Sequence, residues 1–215
     1  MRFSFHASKS AVVRIRPSSG ATHIGVVIDV TDQASVDVAI ADPVELDVVV
    51  NNAGFEVQSA WSWSTTISFV NVSSIAGVVA VPYGGAYAAS KHALEAMTEA
   101  LHYETAAFGL RFALIEPGRF ETDFHSNVVS PAGWEESLYH ERAMRYRRAA
   151  LLTLGADGAQ DPQLVADAII AAATDPSTPL CTLVGGDAQL IATVRAQGDF
   201  EQFEATMRSA LDWDD

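Results

Sequence analysis

Short apolar runs separated by longer mixed segments dominate the chain. Each run is only a few residues long and almost unbroken, which is typical of strands buried on both faces of a parallel sheet. The segment from Val30 to Glu45 is long enough for the crossover of about a dozen residues that two parallel strands need. The predicted strands span residues 24–29, 46–51, 67–73, 110–116 and 182–184.

Between and after these runs, apolar residues recur at helical spacing. In the longest such segment, residues 85–107, Leu94 falls on the same side as Tyr87 and Lys91, and Gly109 follows as a candidate C-cap. Further helices are predicted over residues 33–41, 161–173, 188–196 and 200–211. This alternation predicts an α/β fold, in which helices cover both faces of a parallel sheet.

Two regions fall outside the alternation, within what we interpret as one domain over residues 1–215. Residues 1–23 are poorly assigned, although Ala11–Arg16 can form a strand. Residues 119–160 form a long mixed segment, and such segments often act as binding lids. The aromatic side chains in it suit a hydrophobic substrate, so we expect a substrate lid region there. They are Phe120, Phe124, Trp134 and Tyr139.

The charge and composition exclude several classes of protein. A formal net charge of -14 argues against partners that demand basic patches, namely nucleic acid and anionic membrane surfaces. The arginines at 142, 145, 147 and 148 are interpreted as a solvated helix face. A single cysteine, Cys181, and no apolar stretch of membrane-spanning length favour a cytoplasmic location. The six histidines form no metal-like cluster, so no metal is predicted.

Candidate chemistry lies in residues 71–91. Ser74 follows an apolar strand, and Tyr87 and Lys91 stand four residues apart at a helix start, on one helical face. A tyrosine has a reference pKa of about 10, so acid–base work near neutral pH requires a lowered pKa. We expect the neighbouring ammonium of Lys91 to lower it.

These three residues, with Tyr87-Ala-Ala-Ser-Lys91 at their centre, resemble the Ser-Tyr-Lys triad of the short-chain dehydrogenase/reductase family. Three more matches follow the family's order: Asp29-Val-Thr-Asp32, Asn51-Asn-Ala-Gly54 and Pro117-Gly-Arg-Phe-Glu-Thr122. The resemblance implies a Rossmann-like doubly wound sheet and hydride transfer between a nicotinamide and an alcohol or carbonyl substrate. It also implies that Tyr87 is the general acid or base, that Ser74 binds the substrate oxygen, and that Lys91 assists Tyr87.

The same resemblance implies a cofactor site along the carboxyl ends of the strands. At the adenosine end it implies Asp29, Val30, Asn51, Ala53 and Gly54. At the nicotinamide end it implies Tyr87, Lys91, Pro117, Gly118 and Thr122. NADP is slightly favoured over NAD, because Arg14 and Arg16 end a candidate strand where an arginine would favour a 2′-phosphate.

The sequence also departs from the family. It contains no Thr-Gly-x-x-x-Gly-x-Gly loop for the pyrophosphate, and the segment between Gly54 and Ser74 is too short for the helix that carries the family's fourth catalytic group, an Asn. The fold is therefore interpreted as truncated or internally deleted. One alternative is a catalytically inactive binding or assembly protein; the other is an enzyme whose missing stretches lie outside the recorded chain. For either, the helix over residues 85–108 is a candidate homo-oligomer interface.

Overall fold

The computed structural model describes residues 10–14, 24–28, 34, 48–51, 68–120, 122, 132–154 and 160–213. Six strands lie in these ranges: β1 (Ser10–Arg14), β2 (Ile24–Ile28), β3 (Val48–Asn51), β4 (Ser68–Val72), β5 (Arg111–Pro117) and β6 (Cys181–Val184). The α-helices whose bounds lie within the described residues are α1 (Gly85–Thr105), α2 (His140–Leu154), α3 (Gln163–Thr174), α4 (Gly186–Ala196) and α5 (Phe200–Ala210).

The main sheet has four parallel strands in the order β3-β4-β5-β6. Because all four strands are parallel, their carboxyl ends meet at one edge of the sheet. The predicted α/β architecture is therefore confirmed. Within the described ranges the strand order does not reverse, so the switch of direction that defines a doubly wound sheet is not seen there.

Alternating side chains of β4 and β5 cover the two faces of this sheet. On one face, Val70 and Ile115 are fully buried against Ile169 of α3, in the largest apolar cluster described. On the other face, Asn71 of β4 donates to Thr98 of α1 at 2.9 Å, and this places α1 over the opposite side. Successive side chains of a strand point to opposite faces of the sheet, which produces this division. The packing of α1 on its face places the start of that helix above the strand ends.

The strand at residues 24–28 is present, but the predicted parallel pairing is wrong. β2 pairs antiparallel with β1, Arg14 opposite Ile24 and Ser10 opposite Ile28, in a separate two-stranded sheet. The stretch that joins the two strands is shorter than the dozen or so residues that a parallel crossover needs, so these neighbours run antiparallel. Most of the predicted helix at 33–41 lies outside the described residues.

The described part of the segment at residues 119–160 includes one long helix. It contains α2, which sequence analysis recognised only as a helical spacing of arginines. Phe120, expected among the lid aromatics, is instead buried in the cluster beneath α3. Phe124 lies outside the described residues. In the part of the chain that the structure describes, no helix has both the length and the apolar character needed to cross a membrane.

Candidate active site

The candidate site lies at the carboxyl edge of three neighbouring strands. Asn51 ends β3, Ser74 follows β4 by two residues, and Pro117 ends β5. Open α/β sheets bind ligands at this edge, because loops there are free to diverge above the strand ends. The structure therefore brings Ser74, Tyr87, Lys91, Pro117 and Gly118 into one region, as the spacing and the resemblance predicted.

Ser74 is fixed by its role as the cap of a short 3-10 helix over residues 75–77. Its Oγ accepts a hydrogen bond from the Ala76 backbone N–H at 3.2 Å and lies 3.4 Å from the Pro117 carbonyl oxygen, to which it donates. The residue is only 9% exposed. These contacts connect the end of β4 to the end of β5 and hold the hydroxyl at the sheet edge.

Tyr87 lies in the first turn of α1 and is 38% exposed, so its ring is accessible at the edge of the site. Partial burial raises the pKa of Tyr87 above its ordinary value of 10.0, and a hydrogen bond with the Ser74 side chain acts in the opposite direction. The two side chains are thus in direct contact, although they are 13 positions apart in the sequence.

Lys91 stands one turn further along α1. Its Nζ donates to the Val72 carbonyl oxygen at 3.0 Å and lies 5.8 Å from the centroid of the Tyr87 ring. Burial lowers the pKa of Lys91, and the charge of Glu95 raises it. We expected Lys91 to lower the pKa of Tyr87, but the net shift in this structure is upward because burial outweighs the effect of the Ser74 hydroxyl.

The Pro117–Gly118 turn is braced by two residues that sequence analysis missed. The Arg119 backbone N–H donates to Asp187 Oδ2 at 2.7 Å, and Gln160 Nε2 donates to Asp187 Oδ1 at 2.7 Å. A Cβ at Gly118 would collide with the Asp187 carboxylate, so a larger residue there would force Asp187 to move. Asp187 lies in the first turn of α4, where an acidic residue is common, and so carries no signal of this role.

For the remaining predicted cofactor residues, the structure describes only Thr122 and the backbone of Asn51. Thr122 is exposed, two positions beyond the buried Phe120. The structure describes the backbone of Asn51, which pairs with Asn71 of β4. The last four, Asp29, Val30, Ala53 and Gly54, lie outside the described residues.

An apolar cavity of about 210 Å³ opens beside the loop that leads into α1. Ala80, Val81 and Pro82 form one wall, and the other walls come from α2, α5 and the residues after α5: Tyr146, Phe203, Met207, Leu211 and Trp213. The centroids of the Tyr83 and Tyr146 rings are 6.2 Å apart. Tyr83 lies in the turn just before α1 and four positions before Tyr87, so the cavity lies beside the loop that leads to the candidate site.

Comparison with known proteins finds similarity to short-chain dehydrogenases and other oxidoreductases. A family model described as short chain dehydrogenase matches residues 65–132, which contain Ser74, Tyr87, Lys91 and the Pro117–Gly118 turn. The uncharacterized oxidoreductase YusZ of Bacillus subtilis is 40% identical over 112 residues, 49% of this chain and 38% of YusZ. An uncharacterized oxidoreductase of Schizosaccharomyces pombe is 29% identical over 207 residues, 82% of this chain and 86% of that protein.

The chain therefore spans less than half of the length of YusZ but most of the length of the yeast relative. A solved short-chain dehydrogenase from Burkholderia cenocepacia, in complex with NADP, is 24% identical with a TM-score of 0.45, over 67% of this chain and 46% of that one. A similarity at this TM-score supports no argument about function. The family model and the curated relatives thus show that the part of the chain around Ser74, Tyr87 and Lys91 is similar to short-chain dehydrogenases and other oxidoreductases.

Proposed function

We propose that this chain performs nicotinamide-dependent oxidation of an alcohol or reduction of a carbonyl group. The observation that carries the proposal is the convergence of Ser74, Tyr87 and Lys91 at one sheet edge, beside the braced Pro117–Gly118 turn. A hydroxyl and a phenol in contact, with an amine 5.8 Å from the centroid of the phenol ring, provide an oxygen-binding group and a proton donor or acceptor. That combination suits proton transfer at a substrate oxygen.

Each side chain has a distinct role in this proposal. Tyr87 gives its phenolic proton to the substrate oxygen in reduction and takes it back in oxidation. Ser74 is held by the Ala76 N–H and the Pro117 carbonyl, so it can orient the same oxygen without moving. Lys91 is half-buried, with its Nζ 5.8 Å from the centroid of the Tyr87 ring, and its proposed role is to stabilise the phenolate that forms when Tyr87 gives up its proton. A well-placed acid–base group of this type contributes about 10²–10⁴ in rate.

The described residues fit the nicotinamide end of the cofactor. Gly118 has no side chain, its N–H donates to the Val184 carbonyl oxygen at 2.8 Å, and the turn it forms lies next to Ser74. Lys91, Pro117, Gly118 and Thr122 would hold this end of the cofactor, whether NADP or NAD. When bound, a nicotinamide supplies or accepts the hydride, which side chains alone cannot do.

The cavity beside the site supports a hydrophobic alcohol or ketone as the substrate. Its walls are aliphatic and aromatic, with Glu204 as an acidic residue among the lining residues. An apolar chain that leaves water for these walls gains about 25 cal/mol for each Å² of apolar surface buried. A polar or phosphorylated substrate would gain nothing from such walls, and the net charge of -14 would repel an anion.

Tyr87→Phe tests the proposal, with Tyr83→Phe as the matched control. Each variant removes the phenolic hydroxyl of one exposed tyrosine. Of these two tyrosines, only Tyr87 contacts Ser74. Turnover of apolar ketones at millimolar NADPH or NADH should fall about 10²–10⁴-fold in Tyr87→Phe and remain in Tyr83→Phe. Cofactor affinity, measured by fluorescence titration, should change little. More than a tenth of the turnover left in Tyr87→Phe, or no turnover by the unmodified chain, would refute the proposal.

A further inference from the structure

Two carboxyl groups meet beneath the candidate site. Glu116, next to last in β5, is only 4% exposed, and Glu95 lies half-buried on α1. One oxygen of each carboxyl group and the Sγ of Cys181 all lie within 4.8 Å of one another. Two carboxylates this close in a buried position cannot both ionise at low cost, and in such pairs one pKa rises strongly.

The packing around Glu95 fixes this arrangement. A Cβ on Gly77 would lie 2.7 Å from Glu95 Oε1 and 2.8 Å from Ser73 Oγ, so the turn after Ser74 rests directly on the carboxyl group. Ser73 is itself buried, at 4% exposure. The carboxyl of Glu95 is therefore confined between the end of β4 and the end of β5.

Glu95 also follows Lys91 by four residues on the same face of α1. Its charge raises the pKa of Lys91, against burial, which lowers it. The ionisable groups that face the pair are Lys91, His92 and Glu99 from α1 and Cys181 from β6, whereas β4 contributes the uncharged Ser73. Within the described part of the chain, Glu95 is thus the anion that acts on the candidate amine.

We propose that Glu95 and Glu116 share one proton and together position Lys91, with Glu95 providing the negative charge that keeps the amine protonated beside Tyr87. Both are positioning residues, since they act through Lys91. The importance of this pair for catalysis rests on the proposed function. Its effect on Lys91 does not, because the protonation of an amine can be measured without substrate or cofactor.

The titration of the pair supports this proposal. Burial, and then the charge of Glu95, raise the pKa of Glu116 to about 7. In the proposed pair, Glu116 carries the shared proton below that pH, with an oxygen of Glu95 within 4.8 Å. Above that pH, both carboxylates are charged near the Lys91 amine. A divalent cation would instead need the thiolate of Cys181, and burial together with the charges of Glu116 and Glu95 raises the pKa of that thiol to about 12. Proton sharing is thus the chemistry that these three residues favour.

Competitive labelling of the chain with trace acetic anhydride tests the pair directly. The sequence contains two lysines, Lys9 and Lys91, so each acetylated peptide is identified by mass spectrometry and Lys9 serves as an internal reference. In the unmodified chain, the reactivity of Lys91 plotted against pH should show its main titration and a smaller inflection near pH 7. The inflection marks the arrival of the second carboxylate charge, and its absence would refute the shared proton.

Three isosteric variants separate charge from structure. Glu95→Gln should lower the pKa of Lys91 by at least about half a pH unit, because it removes the nearby anion. Glu116→Gln should keep the main titration and abolish the inflection near pH 7. Glu104→Gln, an exposed position on the same helix, should change neither feature. An unchanged Lys91 titration in Glu95→Gln, or an inflection that persists in Glu116→Gln, would overturn the proposal. Neither result depends on whether the chain turns over a ketone.

Discussion

Two side chains at the candidate site, those of Ser74 and Lys91, are held by backbone groups. Ser74 is fixed by the Ala76 N–H and the Pro117 carbonyl, and Lys91 by the Val72 carbonyl. Backbone anchors belong to the sheet edge, which cannot move without disrupting the strands. The reactive groups are therefore preorganised before any ligand arrives, and such preorganisation is the main contribution of a protein to this type of chemistry.

At Gly118 one added methyl group should be enough to distort the site. In Gly118→Ala the new Cβ would overlap the Asp187 carboxylate, which also accepts from the Arg119 N–H and from Gln160. Overpacking of this kind costs about 1–3 kcal/mol, measured as a lower midpoint in urea unfolding. The control is Gly186→Ala, since a Cβ there meets nothing within 4 Å. Equal stability of the two variants would show that the Asp187 brace yields freely.

At the scale of elements, the register between α1 and β4 sets the distance from Ser74 to Tyr87 and Lys91. Deep in that contact, Asn71 donates to Thr98 Oγ1 at 2.9 Å, and Thr98 Oγ1 donates to the Leu94 carbonyl at 2.7 Å. Thr98 is 0% exposed. This buried polar contact specifies one register, because a slide of the helix would leave the Asn71 amide without its acceptor.

Thr98→Val tests the importance of that contact. Valine keeps the shape of threonine but removes the acceptor, so the buried Asn71 amide loses a partner and the unfolding free energy should fall by about 1–3 kcal/mol. Thr105→Val is the control, because Thr105 makes the same bond within the helix, to Leu101, from a partly buried position. Chemical denaturation of both variants decides the question. If Thr105→Val is as destabilising as Thr98→Val, the hydrogen bond from Asn71 to Thr98 adds nothing to the stability of the fold.

Local sequence patterns predicted most helices and strands well, but they predicted poorly which of these elements pair or pack together. The helical start at residue 85, the shared side of Tyr87 and Lys91, and the left-handed Gly109 (φ 74°) all follow from short-range spacing. The antiparallel pairing of β2 and the brace of Asp187 on Arg119 depend on contacts between distant residues, which no periodicity records. Only part of α2 was recognised, from the helical spacing of its arginines. Its narrow apolar stripe, in which Ala143 and Tyr146 are buried, lies among charged residues and gave no clear signal.

In the whole molecule, the described residues that we assign to the cofactor would bind only the nicotinamide end of a dinucleotide. The sequence supplies no glycine-rich loop for the pyrophosphate, which normally binds backbone N–H groups at a helix N-terminus. We therefore expect NADPH to bind with a Kd of about 1 mM or weaker, or about -4 kcal/mol. Reduced nicotinamide mononucleotide, which lacks the adenosine half, should bind within a few-fold of that value in a fluorescence titration.

A micromolar Kd for NADPH, with much weaker binding of the mononucleotide, would contradict this expectation. It would mean that residues outside the described ranges, such as Asp29 or Gly54, complete the adenosine end without the usual loop. Lys91→Met serves as the control for site-specific binding, since it should weaken the binding of both ligands to the same extent.

The stability of the whole chain should depend on pH through Glu116. Its pKa is raised from 4.5 to about 7 on folding, so between these values the folded state binds more protons than the unfolded state. Stability should therefore fall as pH rises from about 4.5 to about 7, by up to about 3 kcal/mol. Thermal melts across this range should show the decrease, and Glu116→Gln should flatten it while Glu104→Gln does not. If the Tm rose over this pH range in the unmodified chain and Glu116→Gln removed that rise, the predicted direction of the effect would be wrong.

The position of Cys181 beside that carboxyl pair has a practical consequence for handling the protein. The thiol is exposed, yet burial of part of the group and two adjacent carboxyls keep it protonated, with a pKa of about 12. Oxidation and alkylation proceed through the thiolate, so its fraction at neutral pH should be lower than that of a free cysteine by on the order of a thousandfold. Samples should accordingly resist disulfide-linked dimerisation during storage in air, and maleimide dyes should attach slowly. Glu116→Gln, by withdrawing a negative neighbour, should make the same thiol easier to label.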